Sequence, residues 1–248
     1  ASVVAPAAAF AWWGWRMDMA ATLAAAALGG LFAALARRRD AMRAQARLSR
    51  ERTRLGRFVP AAFREPLAEV DAEGFGAAEA VLSVLFVDAV GFTRAAERLS
   101  AREVAAKMSD LHRRFEATAE AHGGVVVSYI GDGALIAFGL SGEGPEAALR
   151  CADALTAEGS GEDLLRATVD RGPVSVAVLG GARHSTVTVA GDPVNVAARL
   201  QEAARAEGRR LVVTAAAMEG VEGAAPGLEP LGAFALRGRA APVTLFGR

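Results

Sequence analysis

The chain has 248 residues and a formal net charge of zero, with 28 Lys and Arg against 28 Asp and Glu. Its one cysteine, Cys151, excludes an intramolecular disulfide and a cysteine-built metal cage, and fits a reducing compartment. Its one lysine, Lys107, bars most lysine-dependent chemistry. The length accommodates one domain of about 170 to 190 residues and an accessory segment. The apolar share of 52% and mean hydropathy of +0.25 are high for a soluble protein, and the excess gathers at the N-terminus, which directs attention to a membrane segment.

Residues 19–36 form an uncharged run of 18 residues. As a helix it would extend about 27 Å, close to the hydrocarbon thickness of a bilayer, so a transmembrane helix is predicted here. Arg37, Arg38 and Arg39 follow at once, and the positive-inside rule puts everything downstream in the cytoplasm of a membrane-bound protein. A signal peptide would carry its arginines before the apolar run, with small-residue cleavage sites after it; a buried Ala-rich helix is the other reading of the run. Residues 2–15 are apolar but short, and Trp12, Trp13 and Trp15 stand where an interfacial aromatic belt would, at the end of an earlier span. The first residue is Ala1, not methionine, which suggests a truncated or processed product.

Residues 37–57 carry nine arginines against Asp40 and Glu51, so this linker is strongly basic and residues 58–248 are correspondingly acidic. A basic collar beside an acidic domain suits anionic lipid and argues against nucleic-acid binding by the domain. Ala41, Leu48 and Leu55 recur every seven residues while Glu51 interrupts the companion positions, a pattern that fits either a short parallel coiled coil or a solvated basic helix.

The segment 58–248 reads as one domain. Residues 81–88 predict a buried strand, and Ser100 with Glu103 makes a capping box for a helix running to about His122. Two apolar strands then flank Gly131-Asp132-Gly133, a hairpin signal. A helix over 145–157, strands over 165–170, 173–179 and 185–190, a helix over 193–207 and strands near 210–213 and 243–247 complete the pattern. The fold class is an α/β (α+β) sandwich with a mixed sheet.

Asp88 ends a strand and is followed by Gly91-Phe92-Thr93 at a helix start. Such an aspartate ligates a hard cation or merely caps the turn, and the backbone N–H groups of Gly91, Phe92 and Thr93 suit a phosphate. Asp132 between two glycines has the same two readings. Taken together, two carboxylates on adjacent strand ends can bridge a pair of Mg2+ or Mn2+ ions that clamp the attacking and leaving oxygens of an in-line displacement. Asp192-Pro193 opens a helix, with Asp192 as expected N-cap. Asn195 and Arg199 share one face of it at i, i+4, an amide and a guanidinium suited to a sugar and a transferring phosphoryl group, or else a solvated polar face.

Four ordered strings, LFVDAVGFTRAAERLS, SYIGDGALIAFG, VDRGPVSVAVLGG and VTVAGDPVNVAARL, resemble the catalytic domain of class III adenylyl and guanylyl cyclases, and FALRGRAAPVTLF resembles that family's C-terminal strands. The resemblance covers about residues 58–248. It implies a mainly antiparallel sheet flanked by helices around a ferredoxin-like palm core. By this resemblance Asp88 and Asp132 hold two Mg2+ or Mn2+ ions, helped by the backbone at Ala89. Asn195 and Arg199 position the ribose and stabilise the transition state, and Arg237 and Arg239 stand where the family often has a basic phosphate contact. The two polar pairs come from different subunits in the family, so a homodimer with composite sites is implied. The implied reaction is attack of a 3′-hydroxyl on the α-phosphorus of ATP with pyrophosphate leaving.

The base-selecting positions depart from pattern. Adenylyl cyclases of this type usually have Lys where this chain has Ser128, and Asp or Thr where it has Thr188. Thr188 can hydrogen-bond an adenine edge and favours ATP; Ser128 is a short hydroxyl where a long cation is usual, which leaves GTP open. A guanylyl-active or catalytically degenerate regulatory domain is the alternative. A diguanylate cyclase is excluded by the absence of Gly-Gly-Asp-Glu-Phe.

Overall fold

A computed structural model describes residues 38, 39, 42, 77–157, 164–181, 184–221, 227–239 and 241–248. The chain divides into two units, Ala1–Phe58 and Val59–Arg248. In the first, residues 38, 39 and 42 are helical. The expected span at 19–36, the tryptophan belt and the heptad positions lie outside the described residues. Among the described residues no helix is long and apolar enough to cross a membrane.

The second unit consists of β1 (Ala77–Ala89), α1 (Phe92–Ala96), α2 (Ala101–Ala121), β2 (Val125–Ile130), β3 (Gly133–Phe138), α3 (Pro145–Ala157), β4 (Leu165–Gly181), β5 (His184–Ala190), α4 (Asp192–Ala206), β6 (Leu211–Thr214), α5 (Ala215–Met218), β7 (Glu229–Phe234) and β8 (Val243–Gly247). Its strands form one sheet in the order β2-β3-β1-β4-β6-β8-β7, with β5 also paired to β4. Every pairing is antiparallel except β4 with β6, which are joined through α4 in the crossover that a parallel pair requires.

Strand alternation gives β1 two apolar faces. Leu85 and Val87 bury one side under α2 and α3 together with Phe115, Phe138 and Leu155. Leu82 and Val84 bury the other with Leu135, Val174 and Val176. α4 lies against this second side, where the Thr168 hydroxyl donates to the Ala197 carbonyl at 2.7 Å. Gln201 reaches further in, and its amide nitrogen donates to the Phe86 carbonyl at 3.1 Å. The start of α2 carries the expected capping box, with the Ser100 N–H donating to Glu103 at 2.8 Å and the Glu103 N–H returning to the Ser100 hydroxyl at 3.4 Å.

Three local expectations change. The strands predicted over 165–170 and 173–179 are one continuous strand, β4. β6 pairs with residues 167–169 and β5 with 175–181, which leaves one flank of the strand between them unpartnered and admits Pro173, a residue with no N–H to donate. The N-cap of α4 is Gly191 and not Asp192; Asp192 is the first helical residue, and its carboxylate is drawn to Arg239 at 3.2 Å. Finally, β7 and the short α5 form where neither was anticipated, β7 by pairing with β8 and α5 by capping on the Thr214 hydroxyl.

Candidate active site

The register of β1 against β3 sets Val87 opposite Ala134, so the end of β1 that bears Asp88 meets the turn that bears Asp132. Gly131 enters that turn at φ +61, in the left-handed region that glycine adopts without strain. Gly133 is needed for a different reason: a Cβ there would stand 2.6 Å from the Val87 carbonyl oxygen and 3.4 Å from Asp88 Oδ1. The missing side chain lets the two acidic elements come together. Burial first, and then the charge of Asp132, push the Asp88 carboxyl above its ordinary range, against the lowering effect of the Ala89 N–H and of Arg205 and Arg166.

The two carboxylates open onto a cleft of about 620 Å3 whose rim includes the Gly91–Thr93 segment, Arg166 and Arg205. Gly91 (φ +78) precedes α1, the Phe92 side chain is buried in the core, and the Thr93 side chain is exposed. Ala89, the expected backbone ligand, is buried at the last rung of β1 against Leu165 and also lines the cleft.

Arg166 and Arg205 are absent from the sequence-derived candidates. Arg166 sits directly opposite Asp88 in the β1–β4 register, and burial followed by the nearby Arg205 lowers its pKa while Asp88 opposes the shift. The signal for Arg166 was present, since a guanidinium interrupts the otherwise apolar start of a strand. Arg205 had no such signal, because only the course of α4 brings its last turn to the cleft.

Asn195 and Arg199 do not line this cleft. They lie ten and six residues before Arg205 on the same helix, about 15 and 9 Å along its axis. Asn195 is exposed, its amide donating to the Gly191 carbonyl at 3.3 Å. Arg199 lies beneath the β7–β8 loop, its Nη1 3.4 Å from where a Gly238 Cβ would stand. In that loop Arg237 is exposed, whereas Arg239 is paired with Asp192. The loop therefore meets the N-terminal half of α4 through Arg239 at Asp192 and Gly238 at Arg199, and neither Arg237 nor Arg239 lines the cleft of the two aspartates.

Ser128 and Thr188 fall on different strands, with different facings. The β2–β3 register slips between Val126 and Ser128, a bulge that pairs Ser128 with Leu135 and Tyr129 with Ala134. Ser128 therefore shares the α4 side of the sheet with Leu135, while Tyr129 turns to the α2 side with Ala134. On β5, Val187 and Val189 pack against the same cluster as Leu135, which leaves the half-buried Thr188 between them facing the other way.

Residues 77–246 match the family model for the adenylate and guanylate cyclase catalytic domain. The chain belongs to this cyclase family. Within it, the chain is 30% identical over 163 residues to the receptor-type guanylate cyclase gcy-19 of Caenorhabditis briggsae, covering 59% of this chain and 13% of that protein. It is 29% identical over 177 residues to an adenylate cyclase of Mycobacterium tuberculosis, covering 66% of this chain and 40% of that protein. The cyclase domain thus spans well under half the length of these curated relatives. Among solved structures, the adenylyl cyclase CyaB from P. aeruginosa has a TM-score of 0.60 at 22% identity over 69% of this chain and 95% of that one. A bacterial light-regulated adenylyl cyclase has 0.67 at 19% identity over 82% and 62%. These likenesses establish the cyclase fold, a mixed α+β domain around a mostly antiparallel sheet.

Proposed function

We propose that the chain is an adenylate cyclase that converts ATP to 3′,5′-cyclic AMP and pyrophosphate as a homodimer. The observation that carries the reading is the division of its polar machinery. Asp88 and Asp132 share a cleft with two guanidinium groups, while Asn195 and Arg199 of the same chain lie outside it. A second copy, docked through the α4 side of the sheet, would supply the missing amide and guanidinium. The apolar, partly buried Val125 and Val127 on that side support docking, as does the 50% exposure of Ile130, whose partner Gly133 shares the facing of Leu135.

The donor set fits a divalent cation. The two carboxylates are held close enough that the charge of Asp132 disfavours ionisation of Asp88, and a bound cation relieves that repulsion. Among the described residues no group of three or more His, Cys, Asp or Glu side chains converges. Mg2+ is typically held by one or two carboxylates plus substrate phosphates, and Asp88 and Asp132 bring two carboxylates to one cleft. Asp88, Asp132 and the Ala89 carbonyl would hold two Mg2+ or Mn2+ ions, which supply Lewis-acid activation of the 3′-hydroxyl and charge neutralisation on the phosphates.

The chain's own residues do the rest. Arg166 and Arg205 offset the charge of the triphosphate, with the Gly91–Thr93 backbone facing it. Asn195 orients the ribose, and Arg199 donates to the phosphoryl oxygens as the 3′-oxygen bonds to the α-phosphorus and the bond to pyrophosphate breaks. Thr188 favours adenine, whereas Ser128 offers only a hydroxyl on the α4 side. The apolar run at 19–36 and its arginine collar support a membrane anchor that leaves this domain in the cytoplasm.

The test is to incubate the chain with Mn2+ and either ATP or GTP and to quantify cyclic AMP and cyclic GMP, alongside Asp88→Ala and Asp132→Ala. Cyclic AMP is expected from the parent and neither product from the variants. Absence of metal-dependent product would refute the enzyme and favour a regulatory domain, and predominance of cyclic GMP would refute the choice of ATP.

A further inference from the structure

The turn that bears Asp132 lies at an edge of the sheet. Among the described residues β2 has β3 on one side and no other strand in the ladder on its outer side, and Ile130 at its end is 50% exposed. A side chain from outside the hairpin grips it at the turn. His112, on α2, stacks on Tyr129 with ring centroids 4.1 Å apart and planes 18° from parallel. The same imidazole places Nε2 3.0 Å from the Gly131 carbonyl oxygen. A carbonyl oxygen only accepts, so Nε2 carries the proton and donates. Tyr129 is available for the stack because the bulge after Val126 turns it to the α2 side and turns Ser128 to the α4 side. One imidazole thus grips the hairpin at two points, next to Ser128 and next to Asp132.

We propose that His112 is a positioning residue: by clasping Tyr129 and Gly131 it fixes the β2–β3 turn and so sets the Asp132 carboxylate against Asp88. The inference rests on the reading of these two aspartates as cation ligands. Loss of the clasp leaves both carboxylates present but lets one of them wander, so cation affinity falls before the fold does.

The experiment titrates the full chain with Mn2+ alone, following the free-ion signal by electron paramagnetic resonance, and records Tm in parallel. His112→Ala is expected to weaken Mn2+ binding about tenfold or more, the usual scale for removing a group that orients a metal ligand. His112→Gln keeps an N–H for the Gly131 carbonyl and is expected to recover most of that loss, and Tyr129→Leu to fall between. Unchanged Mn2+ affinity in both His112→Ala and Tyr129→Leu overturns the proposal, as does a fall in Tm without a fall in affinity. Should His112→Ala fail to fold, His112→Gln and Tyr129→Leu carry the same comparison. A parent chain that binds no Mn2+ overturns the ligand reading instead. The clasp is then judged by amide hydrogen exchange at Gly131–Gly133, where exchange no faster in Tyr129→Leu than in the parent refutes it.

Discussion

A methyl group added to Gly133 would stand 2.6 Å from the carbonyl oxygen of Val87, a backbone atom in the centre of the sheet. Neither partner is a flexible side chain, so Gly133→Ala must push the β2–β3 turn away from β1. The expected cost is about 1–3 kcal/mol of stability, the range for overpacking a tight site. Cyclase activity is expected to fall further than this loss explains, because Asp132 moves with the turn. Denaturant midpoints measured beside turnover of the still-folded protein check both parts.

The raised pKa of Asp88 gives a pH dependence with a definite sign. Its carboxyl holds a proton more tightly in the folded than in the unfolded chain. Metal-free stability therefore falls as pH rises through the window between the ordinary value of 3.8 and the raised one. Mn2+ and the proton compete for the same oxygens, so apparent Mn2+ affinity is expected to climb across that window. Asp88→Asn should flatten both profiles, raise the metal-free Tm and abolish activity, which thermal melts and Mn2+ titrations at stepped pH will read.

Mixing Asp88→Ala chains with Asn195→Ala chains should restore activity that neither has alone. Random pairing makes half the dimers mixed, each with one of two sites intact, so about a quarter of parental activity is expected. Mixed dimers verified by differential tagging but without turnover would refute the shared-site arrangement.

At the base-selecting position, Ser128→Lys is expected to raise the ratio of ATP to GTP turnover, since a long cation replaces a short hydroxyl on the α4 side of the sheet. The scale is roughly tenfold or more, as for gaining one positioned polar contact. Competition assays with both nucleotides present give the ratio directly.

Away from the cleft, the Thr214 hydroxyl donates to the buried Asp170 at 2.5 Å and accepts from the Ala217 N–H at 3.2 Å. Burial raises the Asp170 pKa, and the Thr214 bond is the largest effect opposing that rise. Thr214→Val removes both bonds at once. A loss of about 1–3 kcal/mol is expected, the cost of leaving a buried acceptor unpaired, and it should be greater at neutral pH than in acid, where Asp170 is protonated. Urea melts at the two pH values decide it.

Much of this was readable from local pattern. The capping box at Ser100 and Glu103, the Gly-Asp-Gly hairpin and the polar pair set among Val194, Val196, Ala197 and Leu200 each depend on residues close in sequence. What escaped depends on register. The strand 125–130 is an apolar run without alternation, so nothing in it marks the bulge that sends Ser128 and Tyr129 to opposite sides. Arg166 gains its place only by standing across from Asp88 on another strand, and Arg205 only by where a helix ends. Asp192 looked like a cap because the cap rules are local, while Arg239, which draws its carboxylate away, lies 47 positions further on.

The single helix α4 carries Asn195 and Arg199 near one end and Arg205 at the other. In the proposed dimer, its first half serves the neighbour's reaction chamber and its last turn serves its own. A rotation or slide of this one stiff axle would be felt in both chambers in the same instant. A signal arriving at the dimer would then need no separate route to each centre, and the two centres would be switched as a pair.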